Sequence, residues 1–224
     1  MLAADFKKGV EKAFKAEGGF QKDPSDSANY VKGKLIGTNR GISAIAFYNH
    51  YKKIPSEADM RALTQAQAMQ IYKANYWDKI RADEINNNSV AHLMFQYVIG
   101  SGLGAIKELK RIANNTKGRK IMAETIKPFT KEEIDLINGL KQSIYHANLK
   151  TNRARIFKAI VQRSPEKGKF LKGWLNRLDT HVYSGKVSFN YKPWLIGTGI
   201  AVLLTGVYVY SNPEQLKKLK RIAA

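Results

Sequence analysis

The stretch "AFKAEGGFQKDPSD", residues 13–26, joins a helical pattern to a polar loop at a single glutamate. Upstream of it, apolar residues recur at helical spacing from Phe6, so residues 5–17 are predicted to form an amphipathic helix. Glu17 follows Phe6 by eleven residues, about three helical turns, and therefore falls on the same face as that ring. Two glycines then end the helix. The pattern predicts an inward-facing carboxylate beside a loop.

A carboxyl group in this position suits acid chemistry on a sugar. Glycosidic bond cleavage needs an acid that is still protonated near neutral pH, and burial against apolar groups raises the pKa of a carboxyl group. Glu17 is the candidate acid. The competing interpretation is that Glu17 is an ordinary solvent-exposed residue at the end of a helix. An inverting enzyme also needs a carboxylate base farther across the sugar. Asp26 is the candidate base, and a purely structural role in the turn is an equal alternative for it. Asp23 directly precedes Pro24, so it is the residue expected to form the turn.

The composition is that of a folded and strongly basic protein. The 224 residues include 38 Lys and Arg against 18 Asp and Glu, and a net charge of +20 favours anionic partners such as cell-wall polymers or membrane surfaces. Nucleic acid is not predicted as a specific partner, since no nucleic-acid-binding motif is present. There is no cysteine, and the four histidines lack metal-ligand spacing, so neither a metal nor another cofactor is predicted.

The C-terminal region contains a long uncharged run. The segment "WLIGTGIAVLLTGVYVY", residues 194–210, has about the minimum length that spans a bilayer as a helix. Trp194 and Tyr210 stand at its edges, where aromatic rings prefer the membrane interface. We predict a transmembrane helix, and hence a lipid membrane as a partner, against the alternative of a buried soluble helix. The N-terminus lacks an apolar run, so no signal peptide is expected.

The remaining pattern is mainly helical. Residues 20–43 are polar and glycine-rich, which predicts a long loop with one small β-hairpin. A capping box at Thr64 opens the next long helix, in which Tyr76 either lines a sugar subsite by stacking or packs in the core. Further helices are predicted over residues 131–147 and 150–163.

Three ordered segments resemble the N-acetylmuramidases of glycoside hydrolase family 108. They are "EGGFQKDPSD" at residues 17–26, "GTNRGIS" at residues 37–43 and "IYKANYWDKIRADEI" at residues 71–85. The order and spacing match that family over most of residues 5–102. Beyond them, "NRARIFKAIVQRSPEKGKFLKGWLNRL" at residues 152–178 resembles the peptidoglycan-binding module that commonly follows the catalytic domain.

This resemblance implies a lysozyme-like fold and a chemistry. It implies that Glu17 is the general acid that cuts the β-1,4 bond between N-acetylmuramic acid and N-acetylglucosamine in peptidoglycan. It also implies substrate contacts at Phe20, Thr38 and Gln96. Two departures are visible: Phe20 stands where the family usually has tyrosine, and Gln96 and Gly100 stand where it commonly has aspartate and asparagine.

The resulting organisation has three parts. Residues 1–102 are predicted as a lysozyme-like catalytic domain, residues 103–190 as a helical peptidoglycan-binding-like module, and residues 191–224 as a transmembrane anchor with a basic tail. The whole is predicted to be a phage-type lysin, anchored to a bacterial or virion membrane and acting on the cell wall. Two alternatives are open: a lytic transglycosylase that uses the same acid, and a non-catalytic, cationic wall-binding or virion membrane protein on the same scaffold.

Overall fold

A computed structural model describes residues 5–14 and 19–185, and helices dominate this part of the chain. The prediction of a mainly α fold is confirmed for these residues. Short 3₁₀ turns and one π-helical turn, at Lys73–Trp77, connect several of the helices. In chain order the α-helices are α1 (Phe6–Phe14), α2 (Ala44–Tyr51), α3 (Glu57–Arg61), α4 (Gln65–Tyr72), α5 (Asn88–Ser101), α6 (Ala105–Lys117), α7 (Lys131–Asn138), α8 (Gln142–Arg163) and α9 (Gly168–Asp179).

The polar segment after α1 forms two small β-hairpins, where the sequence pattern predicted one. Each turn, Lys32–Gly33 and Arg40–Gly41, has positive φ at both of its residues, as a two-residue hairpin turn of type I′ requires. A glycine supplies only the second of these positions, so a basic residue holds the left-handed conformation at the first. The antiparallel pairs are β1 (Tyr30–Val31) with β2 (Lys34–Leu35), and β3 (Thr38–Asn39) with β4 (Ile42–Ser43).

Side-chain caps fix several helix starts. The predicted capping box at Thr64 is confirmed, because its hydroxyl accepts from the Gln67 N–H at 3.2 Å and the Gln67 amide oxygen accepts from the Thr64 N–H at 2.9 Å. Ser56 and Asp59 form the same reciprocal pair at the start of α3, a short helix that the sequence pattern did not predict. These caps stabilise the first turns of the two helices, α3 and α4.

The boundary between α7 and α8 differs from the prediction. The helix predicted over residues 131–147 ends at Asn138, and α8 then runs without interruption through the gap predicted near residue 149. The Gln142 side-chain amide donates to the carbonyl oxygens of Ile137 at 2.7 Å and Leu140 at 3.2 Å. The Gln142 side chain therefore supplies hydrogen bonds to carbonyl groups that have no helical partner after α7 ends, and this stabilises the end of α7 at Asn138.

A single cluster of buried apolar side chains runs from α1 to α9. At its centre the Trp77 ring meets the Phe6 ring at 5.2 Å and the Phe95 ring at 5.1 Å, both edge-on. Helix α8 packs against α5, α6 and α9, so the predicted second module shares this core with the first. The proposed division near residue 102 stays a prediction.

Within residues 5–14 and 19–185, none of the helices combines the length and apolarity needed to cross a bilayer. The predicted transmembrane helix at residues 194–210, and the basic tail after it, lie outside the described residues.

Asn114 forms side-chain hydrogen bonds with the backbone of the segment that follows α6. It is 5% exposed; its amide nitrogen donates to the Met122 carbonyl, and its amide oxygen accepts from the N–H groups of Ile121 and Met122. Asn114→Ala is expected to lower the free energy of unfolding by about 2–3 kcal/mol, since buried backbone groups lose their partners. Urea unfolding measures this, with the exposed Asn115→Ala as the control. Equal losses in both variants would contradict the role given to Asn114.

Candidate active site

Gln21 organises the acidic loop after α1. Its amide nitrogen donates to Asp26 Oδ2 at 3.1 Å, and its amide oxygen accepts from the Asp23 N–H at 2.9 Å and from Asn29 Nδ2 at 2.8 Å. The Gln21 backbone also exchanges two hydrogen bonds with Thr38, each 2.8 Å long. The acidic loop and the β3–β4 hairpin are therefore held together as one unit.

Asp26, the predicted base, is half-buried and caps the 3₁₀ turn at Ser27–Asn29. Its Oδ1 accepts from the Ala28 N–H at 3.0 Å, while Oδ2 accepts from Gln21. Asp23 takes the turn role predicted for it, because its Oδ1 accepts from the hydroxyl and the N–H of Ser25. The Ser25 hydroxyl and N–H together lower the pKa of the Asp23 carboxyl group. Both aspartates thus take part in the turn, and a catalytic role for Asp26 stays a prediction.

Phe20 and Thr38 lie at the junction of the loop with the hairpin. A Cβ atom on Gly37 would fall 2.7 Å from the Phe20 ring, so this ring packs directly on the glycine backbone. The Arg61 guanidinium group lies 3.9 Å from the centre of the same ring, at cation–π distance. Thr38 Oγ1 is buried and has no hydrogen-bond partner among the described residues, so it can bind a water molecule or a ligand.

Tyr76 and Gln96, the other two predicted substrate contacts, are linked to the turn of the same hairpin, the first through Tyr72 and the second through a shared cavity. The Tyr72 hydroxyl donates to the Arg40 carbonyl at 3.4 Å, and the Tyr76 ring packs 6.0 Å from the Tyr72 ring. Burial raises the pKa of the Tyr76 hydroxyl. Gln96 lines a cavity of about 310 Å³ that Gly41 also lines, and the Gln96 side-chain nitrogen is buried with no described partner.

The predicted site residues that the structure describes are thus grouped around one hairpin. Phe20, Asp26 and Thr38 meet around Gln21, and the remaining two lie toward the hairpin turn. Glu17, the predicted acid, lies outside the described residues. No cluster of three or more histidine and carboxylate side chains that could hold a metal ion occurs in the ranges that the structure describes.

Sequence reasoning missed two residues that shape this region. Gln21 stands out only as part of the motif that contains it, since no periodicity or spacing marks an amide as the centre of a hydrogen-bond network. Asn29 is fully buried and donates to the Asp23 carbonyl at 2.8 Å, although asparagine in a polar loop suggests an ordinary turn residue. Asn29 could have been found only by asking which polar groups of the loop become buried.

Comparisons with known proteins bear on the family and on the fold. Residues 10–102 match the family model of Glycosyl hydrolase 108, and this segment contains every predicted site residue. The fold is similar to that of SagA from Brucella abortus, with a TM-score of 0.61, 24% sequence identity, and coverage of 79% of this chain and 90% of that chain. No curated protein matches the sequence. The matched family indicates action on peptidoglycan, and the match over residues 10–102 supports a glycoside hydrolase.

Proposed function

We propose that the protein is an N-acetylmuramidase that hydrolyses the β-1,4 bond between N-acetylmuramic acid and N-acetylglucosamine. The observation that carries this proposal is the family match over residues 10–102, which include Glu17 and the hairpin segment that bears Thr38. The net charge of +20 supports it, since cell-wall polymers are anionic.

Glu17 acts as the general acid in the proposed reaction. Its carboxyl group gives a proton to the glycosidic oxygen as the bond to the muramic acid C1 breaks, and a water molecule attacks that carbon. The Thr38 hydroxyl, buried and without a described partner, can donate to and accept from this water. Asp26 takes up the water proton. Gln21 and the Ala28 N–H hold its carboxylate in place, and its oxygens keep further lone pairs for the water.

The sugar found at the new chain ends tests the proposed bond. The full-length protein is incubated with purified peptidoglycan, and the soluble products are reduced with borohydride and analysed by mass spectrometry. We expect reduced N-acetylmuramic acid at the new ends. Reduced N-acetylglucosamine would contradict the proposed bond. A 1,6-anhydro end would instead identify a lytic transglycosylase, in which the substrate's own hydroxyl replaces water.

Gln21→Ala is expected to lower the rate of peptidoglycan cleavage about ten- to a hundredfold, because the loop carboxylate loses its alignment with the hairpin. The fold should remain, since Gln21 is exposed and its backbone pairing with Thr38 does not need the side chain. Initial rates of muropeptide release measure the effect, and Gln70→Ala, on the exposed side of α4, is the control. Unchanged rates in Gln21→Ala would exclude the loop network from catalysis.

We also propose that residues 103–190 bind peptidoglycan. In this part the Trp174 ring packs 5.3 Å from the Phe157 ring and 6.0 Å from the Phe170 ring, and Phe170 is about half exposed. Aromatic faces of this kind, among exposed lysines such as Lys169 and Lys172, suit an anionic glycan.

The proposed location is a membrane facing the cell wall, as for a phage-type lysin held in a bacterial or virion membrane. The uncharged sequence of residues 194–210 supports it. Detergent-free fractionation is the test: the full-length protein should sediment with membranes, and Leu203→Arg should release it, since an arginine in the middle of a span opposes insertion. A full-length protein in the soluble fraction would contradict the anchor.

A further inference from the structure

A cavity distinct from the acidic loop joins α5 to the predicted second module. It has a volume of about 310 Å³ and lies between the β3–β4 turn, α5, α8 and α9. Its lining combines apolar and cationic side chains, and no aspartate or glutamate among the described residues lines it. The side chains that give the cavity its chemical character are Gln96, Arg153, Phe157, Trp174 and Arg177.

Arg153 is the unusual member of this lining. It is 7% exposed, and its guanidinium group makes one hydrogen bond to the described residues, to Ser101 Oγ at 2.5 Å. The group lies 4.9 Å from the centre of the Tyr97 ring and 4.7 Å from that of Phe157. Burial lowers the pKa of the guanidinium group, and no described carboxylate lies within ion-pair distance to offset the loss of hydration.

Two other buried cations of the fold are paired. Lys110, 1% exposed, lies 2.8 Å from Glu133, and Lys150, 5% exposed, lies 3.4 Å from Asp179. A buried charge without a counter-ion costs stability, whereas a paired charge recovers much of that cost. Arg153 therefore needs a counter-ion that the described part of the chain does not supply.

The surroundings of Arg153 keep its guanidinium group in the cavity. A Cβ atom on Gly100 would overlap this group, so glycine leaves the space that it occupies. The Gln96 side-chain nitrogen, buried and without a described partner, is a second N–H donor in the same cavity. Arg177 adds an exposed cation to the lining.

We propose that this cavity binds a carboxylate of the peptidoglycan peptide stem, with Arg153 as its anchor; this inference rests on the proposed function. The planar guanidinium group matches a carboxylate through two parallel N–H donors, and the Gln96 amide adds a third. Phe157 and Trp174 accommodate the apolar part of the stem. Gly41 in the cavity wall lies three residues from Thr38 on one hairpin, so a glycan strand at Thr38 passes close to this cavity.

Calorimetric titration of the full-length protein tests the site. The Glu17→Gln background prevents turnover, and the probes are N-acetylmuramoyl-L-alanyl-D-isoglutamine, uncharged chitotriose and hippurate, a free apolar carboxylate. We expect the muramoyl dipeptide to bind at least about tenfold more weakly when Arg153→Met is added to this background, because charge-assisted hydrogen bonds are lost. Arg163→Met, which removes an exposed arginine of the same helix, should bind it as before. Chitotriose binding should be the same in all three proteins.

Thermal unfolding separates a ligand-binding role from a structural one. Arg153→Met should unfold at the same temperature or a higher one, since a buried unpaired charge is removed. A lower unfolding temperature with unchanged affinity would overturn the proposal. Gln96→Leu gives a second measurement and should also weaken the dipeptide; unchanged affinity in both variants would overturn the proposal too.

The remaining outcomes show whether the bound carboxylate belongs to the peptide stem, and they separate a failure of this proposal from a failure of the proposed function. Binding of hippurate without binding of the muramoyl dipeptide would overturn the assignment to the peptide stem. An Arg153-dependent affinity for the dipeptide in a protein that does not cleave peptidoglycan would support this site and contradict the proposed function alone. Cleavage with an affinity that does not depend on Arg153 would contradict this site alone.

Discussion

Glu17→Gln is expected to lower the rate of peptidoglycan cleavage by about 10²- to 10⁴-fold, because an amide cannot give the proton that the leaving oxygen needs. Glutamine has nearly the same shape as glutamate, so the affinity for peptidoglycan and the unfolding temperature should change little. Initial rates of muropeptide release from purified peptidoglycan measure the effect.

Glu11→Gln is the matched control for this variant. Glu11 is an exposed carboxylate on α1, the helix that precedes the predicted acid, and its replacement should leave the rate unchanged. Equal rates for Glu17→Gln and the wild type would remove Glu17 from the mechanism. Equal losses in the two variants would show a general effect of charge on binding to the wall instead.

The second large effect is expected at the buried pair between α6 and α7. Lys110 Nζ lies 2.8 Å from Glu133 Oε1, and the Lys110 side chain is 1% exposed. Glu133→Gln keeps the shape and one acceptor oxygen for the Thr130 N–H, but it leaves Lys110 without its counter-ion. We expect the free energy of unfolding, measured with urea, to fall by about 3–5 kcal/mol.

Asp135→Asn provides the comparison on the same helix. It breaks the Lys131–Asp135 pair, whose side chains are 63% and 59% exposed, and should lower the free energy of unfolding far less than Glu133→Gln because water screens the pair. Adding Lys110→Met to Glu133→Gln should restore much of the lost stability, since the uncompensated charge is then gone. Similar costs for the two single variants would contradict the importance given to burial.

Local signals in the sequence predicted much of the helical fold. Apolar spacing located α1, and the capping box at Thr64 marked the start of α4. The break after α7 was not predicted, because it depends on the Gln142 side chain reaching back to two carbonyl groups. The second hairpin was not predicted; in both hairpins a basic residue, Lys32 or Arg40, rather than a glycine or asparagine takes the first left-handed position of the turn.

The candidate site was predictable to a smaller extent. The ordered motifs identified Phe20, Asp26 and Thr38, which the structure brings together. They did not identify Gln21 as the residue that joins them, because one amide side chain and a pair of backbone hydrogen bonds leave no pattern in the sequence. The burial of Arg153 without a described carboxylate is likewise a property of how α8 packs on α5, and helical periodicity does not report it.

The most direct test of the proposed hydrolysis follows the oxygen atom of the attacking water. Purified peptidoglycan is digested by the full-length protein in H₂¹⁸O, and the unreduced muropeptides are analysed at once by mass spectrometry. Hydrolysis at the proposed bond places one ¹⁸O atom at C1 of N-acetylmuramic acid in the wild-type products, and Glu17→Gln should yield almost none of them. Label at N-acetylglucosamine, unlabelled 1,6-anhydro ends, or equal yields from both proteins would contradict a muramidase that uses Glu17 as its acid.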